Sequence, residues 1–396
     1  MKTLIELYDR RPLENVLSTL VFRPERTVFV CPTELANDKS ARKKLEDYLQ
    51  RKGVSTRIEF RGAGIYDTEG ICRTLKDIAS EYPDCALEIA GGTEAALFAA
   101  GLACAECGIP VFTYSRRRNM FFEINNAPFA RELPCEIEFD VEDFFRMAGG
   151  SVRDGRYGKA ELQDYMSLIN PFFSVFLKFR QQWTPVIDYI QRISRADADG
   201  RFSLKVKGDY VTKGERGSRL TANEDALKEL QRIGMISGLE INTGVSVSFR
   251  FKDSNVRSWL RDIGAVLELY IYKACMDAGV FHDVKTSVIA DWDGDEGSDS
   301  VTNEIDVMAA AGVFPVFISC KTGEVKTEAL NELSVLSSRF GGNMARAVIV
   351  TAKKGSAMMR SRASELGIQV IALDDLTRGT FKNTLKKLGS VENLIG

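Results

Sequence analysis

Glu304, Asp306 and Lys321 lie within the stretch NEIDVMAAAGVFPVFISCKTG, Asn303 to Gly323, and their types and spacing are those of a hydrolytic site. Glu304 and Asp306 stand two residues apart in one apolar run, and Lys321 closes the next run behind Ser319 and Cys320. In a strand, residues i and i+2 share a face, so the two carboxylates are expected to point together, with the lysine arriving from the neighbouring strand. Clustered carboxylates repel one another unless a cation or protons neutralise them. Oxygen ligands favour magnesium or manganese over zinc. Such an ion lowers the pKa of its bound water and polarises a phosphoryl group, while an adjacent lysine contacts a phosphate oxygen or orients the attacking water. The chemistry implied is phosphodiester hydrolysis. The plainer alternative, a buried Asp306–Lys321 salt bridge, is weak as a source of stability and leaves Glu304 and Glu268 without a purpose.

The elements that must position these groups fall in a third block, residues 256–396. NVRSWLRDIGAVLELYIYKACMDAG reads as one long helix carrying Glu268, and VKTSVIADWDG as a strand ending in Asp291 and Asp293. TNEIDVMAAAG and FPVFISCKTG read as a hairpin turning at Gly312, followed by helix, strand, helix, the strand IQVIAL and a last helix.

Ahead of it, residues 1–145 alternate strand and helix, which implies a doubly wound, mostly parallel sheet. Its strand CALEIA runs into Gly91-Gly92-Thr93 and a helix. Glycine lets the backbone approach a ligand, Thr93 can cap the helix, and the free N–H groups there suit an anion. A tight strand-to-helix turn also needs glycine for steric reasons alone. Arg10 and Arg11 after the first strand, Thr33 after the second and Arg116 after VFTYS are further candidates at the same rim. No G-x-G-x-x-G fingerprint is present, so a dinucleotide is not supported. Residues 146–255 read as helices interrupted at Pro171 and Pro185, then as a helix and hairpin of winged-helix outline. The helix EDALKELQRI is not strongly basic, so this segment is read as a connector rather than a DNA reader.

Composition sets the bounds. The chain has 396 residues, enough for two or three domains. Its formal net charge of −2 leaves contact with nucleic acid to local patches. No run of about 18 apolar residues suggests a membrane span. Eight cysteines without a disulfide framework fit a reducing cytoplasm. Cys104 and Cys107 form a C-x2-C pair, but zinc would need a second pair or histidines, and His282 is the only histidine.

A helix glutamate, a strand aspartate and a strand ending in x-x-Lys resemble the PD-(D/E)xK restriction-endonuclease-like nucleases. With DWDG, TNEIDVMAA and PVFISCKTG behind a GGT-bearing Rossmann-like domain, the whole chain is similar to the CRISPR-associated CARF-domain nucleases activated by cyclic oligoadenylates. The resemblance implies Asp306 as first metal-binding acid, Lys321 as catalytic lysine, Glu268 as the helix glutamate, and Gly91, Gly92 and Thr93 as the ligand turn. The acid expected two residues before the lysine is here Ser319. Glu304, then Asp291, are the candidate replacements, and the Cys320 backbone carbonyl is a further candidate metal ligand. The expectation is a cytoplasmic homodimer with an N-terminal CARF domain, a winged-helix-like middle and a C-terminal α/β/α nuclease domain. It would use Mn2+ or Mg2+ to cleave single-stranded DNA or nick duplex DNA, with RNA as a further candidate substrate, when cyclic tetra-adenylate binds, in type III CRISPR antiviral defence. The rival reading is a non-catalytic, DNA-binding cyclic-nucleotide sensor, for which Ser319 is the best support.

Overall fold

The computed structural model describes residues 1–9, 11–153, 162–195, 202–214, 217–292, 301–377 and 381–390; Arg10 and Asp293 lie outside them. The N-terminal strands are β1 (Thr3–Leu7), β2 (Arg26–Pro32), β3 (Arg57–Ala63), β4 (Cys85–Glu88), β5 (Val111–Ser115), β6 (Met120–Asn125) and β7 (Leu133–Pro134). They form one sheet in the order β3-β2-β1-β4-β5-β6-β7. The first five pair in parallel, and β6 and β7 add antiparallel. Every residue of β1 is buried, as expected of a central strand covered on both faces. The strand order reverses between β1 and β4, and a crevice opens at such a switch point beyond the carboxyl ends of the strands.

The middle of the chain holds β8 (Ser151–Arg153), β9 (Lys205–Asp209), β10 (Val211–Lys213), β11 (Arg219–Thr221), β12 (Ile236–Asn242) and β13 (Ser246–Phe251). Helix Glu224–Arg232 precedes the β12–β13 hairpin, and β9 completes a three-stranded sheet, giving the winged-helix-like outline. The helical stretch before it is not interrupted at Pro171. Helix Met166–Phe179 runs through that proline, and Pro185 sits in the first turn of helix Trp183–Ile193, where a missing N–H is harmless.

The C-terminal strands are β14 (Asp283–Asp291), β15 (Thr302–Ala311), β16 (Phe314–Lys321), β17 (Arg346–Thr351) and β18 (Ile368–Ala372), in the order β18-β17-β16-β15-β14-β8. Strand β8, from the middle segment, forms the edge beside β14. The expected single long helix is two, Ser254–Trp259 and Ala265–Ala278. Between them Asp262 Oδ1 accepts the Gly264 N–H at 2.8 Å, a local turn that competes with helix continuation.

Two apolar cores sandwich this sheet. One gathers Phe172, Trp183, Phe249, Leu269, Val316 and Val350, so the middle segment and the Ala265–Ala278 helix share one interior. The other joins Phe29 and Phe112 of the N-terminal sheet to Phe317, Leu336 and Ile349. Packing therefore continues between the N-terminal and C-terminal sheets. Among the described residues, no helix is long and apolar enough to cross a membrane.

Candidate active site

Asp306 sits where the pleat of two strands inverts. Ile305 packs into the core shared with the N-terminal sheet and Val307 into the opposite core. Regular alternation would put both on one face. Val284 and Val288 of β14 are split in the same way. Ser287, between them, is fully buried with φ +50°, an unfavourable backbone for a residue with a Cβ. Pairing resumes on either side of it, Thr286 with Val307 and Val288 with Ile305, which leaves Ser287 facing Asp306. Thr286 Oγ1 donates to the Asp306 carbonyl at 2.9 Å and fixes that peptide. Alternation alone therefore does not carry the facing of Glu304 across to Asp306. Glu304 is exposed, two residues along β15.

The Asp306 carboxylate turns toward β16. Its Oδ2 accepts the Cys320 backbone N–H at 2.6 Å, the Ser319 hydroxyl at 3.1 Å and the Lys321 ammonium at 3.3 Å. All three donors meet one oxygen, leaving Oδ1 without a hydrogen-bond partner among the described residues. In an extended strand the N–H and C=O of one residue point the same way. The Cys320 carbonyl therefore faces the Asp306 side, while the Lys321 carbonyl accepts from Ala352 on the β17 side. Burial pulls the Lys321 ammonium down. Asp306, with smaller help from Cys320 and Glu268, outweighs that and holds its pKa above the usual lysine value. Burial first, then Asp306 and Glu268, push the Cys320 thiol well above its ordinary value.

Glu268 belongs to the first turn of helix Ala265–Ala278, and its charge reaches both Lys321 and Cys320. Gly264 makes room for it, since a Cβ there would stand 2.7 Å from Glu268 Oε1. Asp291 is engaged elsewhere. It is 1% exposed, and Arg153 donates to its Oδ2 from Nη2 at 2.6 Å and from Nε at 3.1 Å. The structure thus brings together Asp306, Ser319, Cys320, Lys321 and, through its field, Glu268. Among the described residues no three carboxylate, histidine or cysteine side chains gather at metal-holding spacing. The donor set still fits a hard ion of the magnesium type, which keeps several waters and takes only one or two carboxylates. Asp306 Oδ1, Glu268 and the Cys320 carbonyl are the oxygens that would hold it. His282 is structural, with Nε2 3.1 Å from the Phe139 carbonyl and Nδ1 facing the Gly312 N–H. Cys104 is buried and Cys107 exposed on one helix, so they form no paired site.

A second site lies at the carboxyl ends of β1, β2 and β3. A cleft of about 640 Å³ is lined by Tyr8, Asp9, Pro32, Tyr66, Gly92 and Thr93, among others. The GGT turn closes it. Gly92 has φ +91°, and a Cβ there would lie 2.7 Å from Leu7 Cβ, while one at Gly91 would lie 2.7 Å from the Leu7 carbonyl oxygen. Glycine is thus a packing necessity whatever binds. Thr93 caps the following helix, its Oγ1 accepting the Ala96 N–H at 3.2 Å. Thr33 begins the short helix after β2, beside the lining residue Pro32.

Arg11 and Arg116 are not among the residues lining that cleft. Arg11 holds Asp9 from behind, with Nε 2.7 Å from Oδ1 and Nη2 2.5 Å from Oδ2, and the Gly92 N–H reaches the same Oδ2 at 3.2 Å. Burial raises the Asp9 carboxyl, but these contacts outweigh it and hold it below its usual range. With its amide oxygen turned toward them, Asn343 accepts from Arg11 Nη1 and, at 2.6 Å, from Arg116 Nη1. Both guanidiniums also lie 3.6 Å from the buried Glu14 carboxylate. Asn343 stands just before β17, so Arg11 links Asp9, and through it the Gly92 amide, to the C-terminal sheet, and Arg116 links Glu14 to it. Sequence reading missed Asp9, Asn343, Gly264 and Thr286. Only for Asp9, which precedes the rim arginines, did strand position offer a signal.

The fold is a Rossmann-like domain joined through a winged-helix-like segment to a C-terminal domain built on a mixed six-stranded sheet. Residues 221–390 match the family described as Card1-like, endonuclease domain. Among solved structures, protein VC1899 from Vibrio cholerae superposes with a TM-score of 0.75 at 16% identity over 98% of each chain. Can2 from Sulfobacillus thermosulfidooxidans, solved in complex with cyclic tetra-adenylate, gives a TM-score of 0.71 at 15% identity, covering 98% of this chain and 99% of that one. No curated protein matches the sequence.

Proposed function

We propose that the chain is a metal-dependent nuclease switched on by cyclic tetra-adenylate bound in its N-terminal cleft. The observation that carries the catalytic half is the convergence of Ser319, the Cys320 amide and Lys321 on one oxygen of Asp306, which leaves its second oxygen open. A magnesium or manganese ion bound there would polarise the phosphoryl group and acidify a water. The three donors fix the Asp306 carboxylate in direction. Lys321, kept charged, supplies a cation for the phosphate oxygens as negative charge develops. Ser319 occupies the place of the usual second acid as a hydrogen-bond donor to Asp306, and Glu268 supplies the second carboxylate from the helix. Glu304, exposed on β15, is within the same strand end for contact with a substrate-bound ion, whereas Asp291 serves the Arg153 ion pair.

The regulatory half rests on the cleft and on its surroundings. Can2, of the same fold, was solved with cyclic tetra-adenylate. Here helix Glu94–Cys107, apolar between its terminal acids, leaves Phe98 at 64% and Leu102 at 45% exposed, and the cleft's Tyr66 is 86% exposed. Such a face belongs against another apolar surface. A homodimer burying it would set two clefts against one two-fold-symmetric ring. An anion arriving at the GGT turn competes with the Asp9 carboxylate for the Gly92 N–H, and the Arg11 that holds Asp9 also holds Asn343. The ligand thereby favours one arrangement of the two domains, with couplings of about 1–3 kcal/mol typical of such switches.

Asp306→Asn and Lys321→Ala should each lower cleavage of single-stranded DNA by roughly 10²–10³ or more while cyclic tetra-adenylate still binds. Gel cleavage assays beside calorimetric titration with the ligand read both properties. Retained cleavage in Asp306→Asn would remove this site assignment. Ligand binding with no cleavage by the unaltered protein on DNA or RNA would leave the non-catalytic sensor.

A further inference from the structure

The winged-helix-like segment carries its positive charge on the sheet and not on the helix. Helix Glu224–Arg232 has acids in its first turn, and its cations are already neutralised, Lys228 by Glu224 and Arg232 by Glu229. The three-stranded sheet differs. Val206, Val247 and Phe249 fill the core from its inner face. On the outer face Arg250 stands directly opposite Lys205, and Ser248 directly opposite Lys207. All three cations are exposed, and none has an ion-pair partner among the described residues. Like charges set opposite each other across strands are destabilising unless something anionic lies over them. Two acids edge the face, Glu240, which accepts from Ser248 Oγ at 3.2 Å, and Asp209 at the far end of β9. Neither meets the Arg250–Lys205 pair.

Three residues before Lys205, Phe202 is 64% exposed and carries the Arg257 guanidinium 4.3 Å and the Arg261 guanidinium 6.0 Å from its ring centre. Both arginines are fixed by hydrogen bonds to the Ser194 carbonyl, at 2.8 Å for Arg257. Arg195 adds a third positive charge close enough to bear on Arg261. An exposed aromatic ring on a rigid guanidinium shelf, three residues along the chain from an unneutralised basic strip, supplies a stacking platform and phosphate contacts of the kind that hold single strands. Arg261 also lies seven residues before Glu268, at the entry to the helix that bears it.

We propose that the outer face of the β12–β13–β9 sheet, with Phe202 on its arginine shelf, holds a single-stranded nucleic acid and leads it to the nuclease site. The proposal rests on the nuclease reading above and adds where the substrate lies. The strip reads no sequence: Lys205, Lys207 and Arg250 take phosphates and Phe202 takes a base.

The test is fluorescence anisotropy of labelled single-stranded DNA and, separately, RNA oligomers, titrated with the full chain carrying Lys321→Ala to prevent cleavage. Adding Lys205→Glu, Lys207→Glu and Arg250→Glu should weaken binding at least about tenfold and reduce the slope of log K against log salt by about 2. Phe202→Ala should weaken it at least about fivefold with the salt slope unchanged. A Lys205→Gln, Lys207→Gln, Arg250→Gln variant with an unaltered melting temperature should show the same loss to a smaller degree. The two arms say whether DNA or RNA is the strand held. Unchanged affinity and slope in the charge variants, with the parent binding, would overturn this surface alone. A parent that binds neither oligomer would overturn the surface and the nuclease reading together.

Discussion

Gly264 and Glu268 show how a single missing atom shapes the site. Gly264 has ordinary helical φ and ψ of −81° and −32°, so no backbone demand calls for glycine. What a side chain would disturb is the Glu268 carboxylate, 2.7 Å from the Cβ position. Gly264→Ala should therefore fold with equal or slightly higher stability, about 0.4–1 kcal/mol, and push the carboxylate away from Lys321. Cleavage should fall roughly ten- to a hundredfold, as misplacement of a positioned group does. Thermal unfolding beside cleavage rates checks both halves, and full activity in this variant would mean that Glu268 does no work from its present position. At this scale the sequence was partly legible. Asp306, Lys321 and Glu268 are chemically conspicuous, polar groups in apolar runs. Gly264 and Thr286 are not, because their effect exists only once a turn and a neighbouring strand have placed them.

At the scale of elements, the site depends on a fault in two strands and on one helix. The pleat inverts at Ser287 and Asp306, and only that inversion turns the Asp306 carboxylate to the Cys320 amide. Periodicity predicts strands by assuming unbroken alternation, so it located β14, β15 and β16 and could not foresee the fault. The Gly91-Gly92-Thr93 turn was legible for the opposite reason, since glycine is forced there by contact with Leu7. Arg11 and Arg116 were legible as rim residues but not as a junction, because Asn343 reaches them through tertiary structure alone. From that junction, helix Thr327–Gly341 runs back for 15 residues, about 22 Å, to the loop that follows Lys321. Asn303 Nδ2 ties it to β15 through Glu332 at 2.7 Å. A change at Asn343 thus has a rigid path to the lysine. Asn343→Ala should bind cyclic tetra-adenylate with nearly unchanged affinity and lose most of the stimulation of cleavage, roughly 5–150-fold at the couplings cited above. Undiminished stimulation in that variant would take the junction out of the switch.

Across the whole molecule, three segments share two cores, and the edge strand β8 leaves the middle segment to join the C-terminal sheet. The doubly wound N-terminal sheet was readable from alternating strand and helix signals. The shared interiors were not, because apolar faces do not record which partner covers them. This continuity suits a switch. The N-terminal cleft and the Asp306 carboxylate, the proposed metal ligand, are connected by packed side chains and the Asp9–Arg11–Asn343 contacts rather than by a loose tether. The most direct measurement is the rate at which the purified protein cleaves single-stranded DNA with manganese, with and without saturating cyclic tetra-adenylate, beside Lys321→Ala. The account predicts cleavage that requires both metal and ligand and disappears in the variant. Cleavage at the same rate without the ligand would contradict the switch, and cleavage that survives in Lys321→Ala would contradict the site.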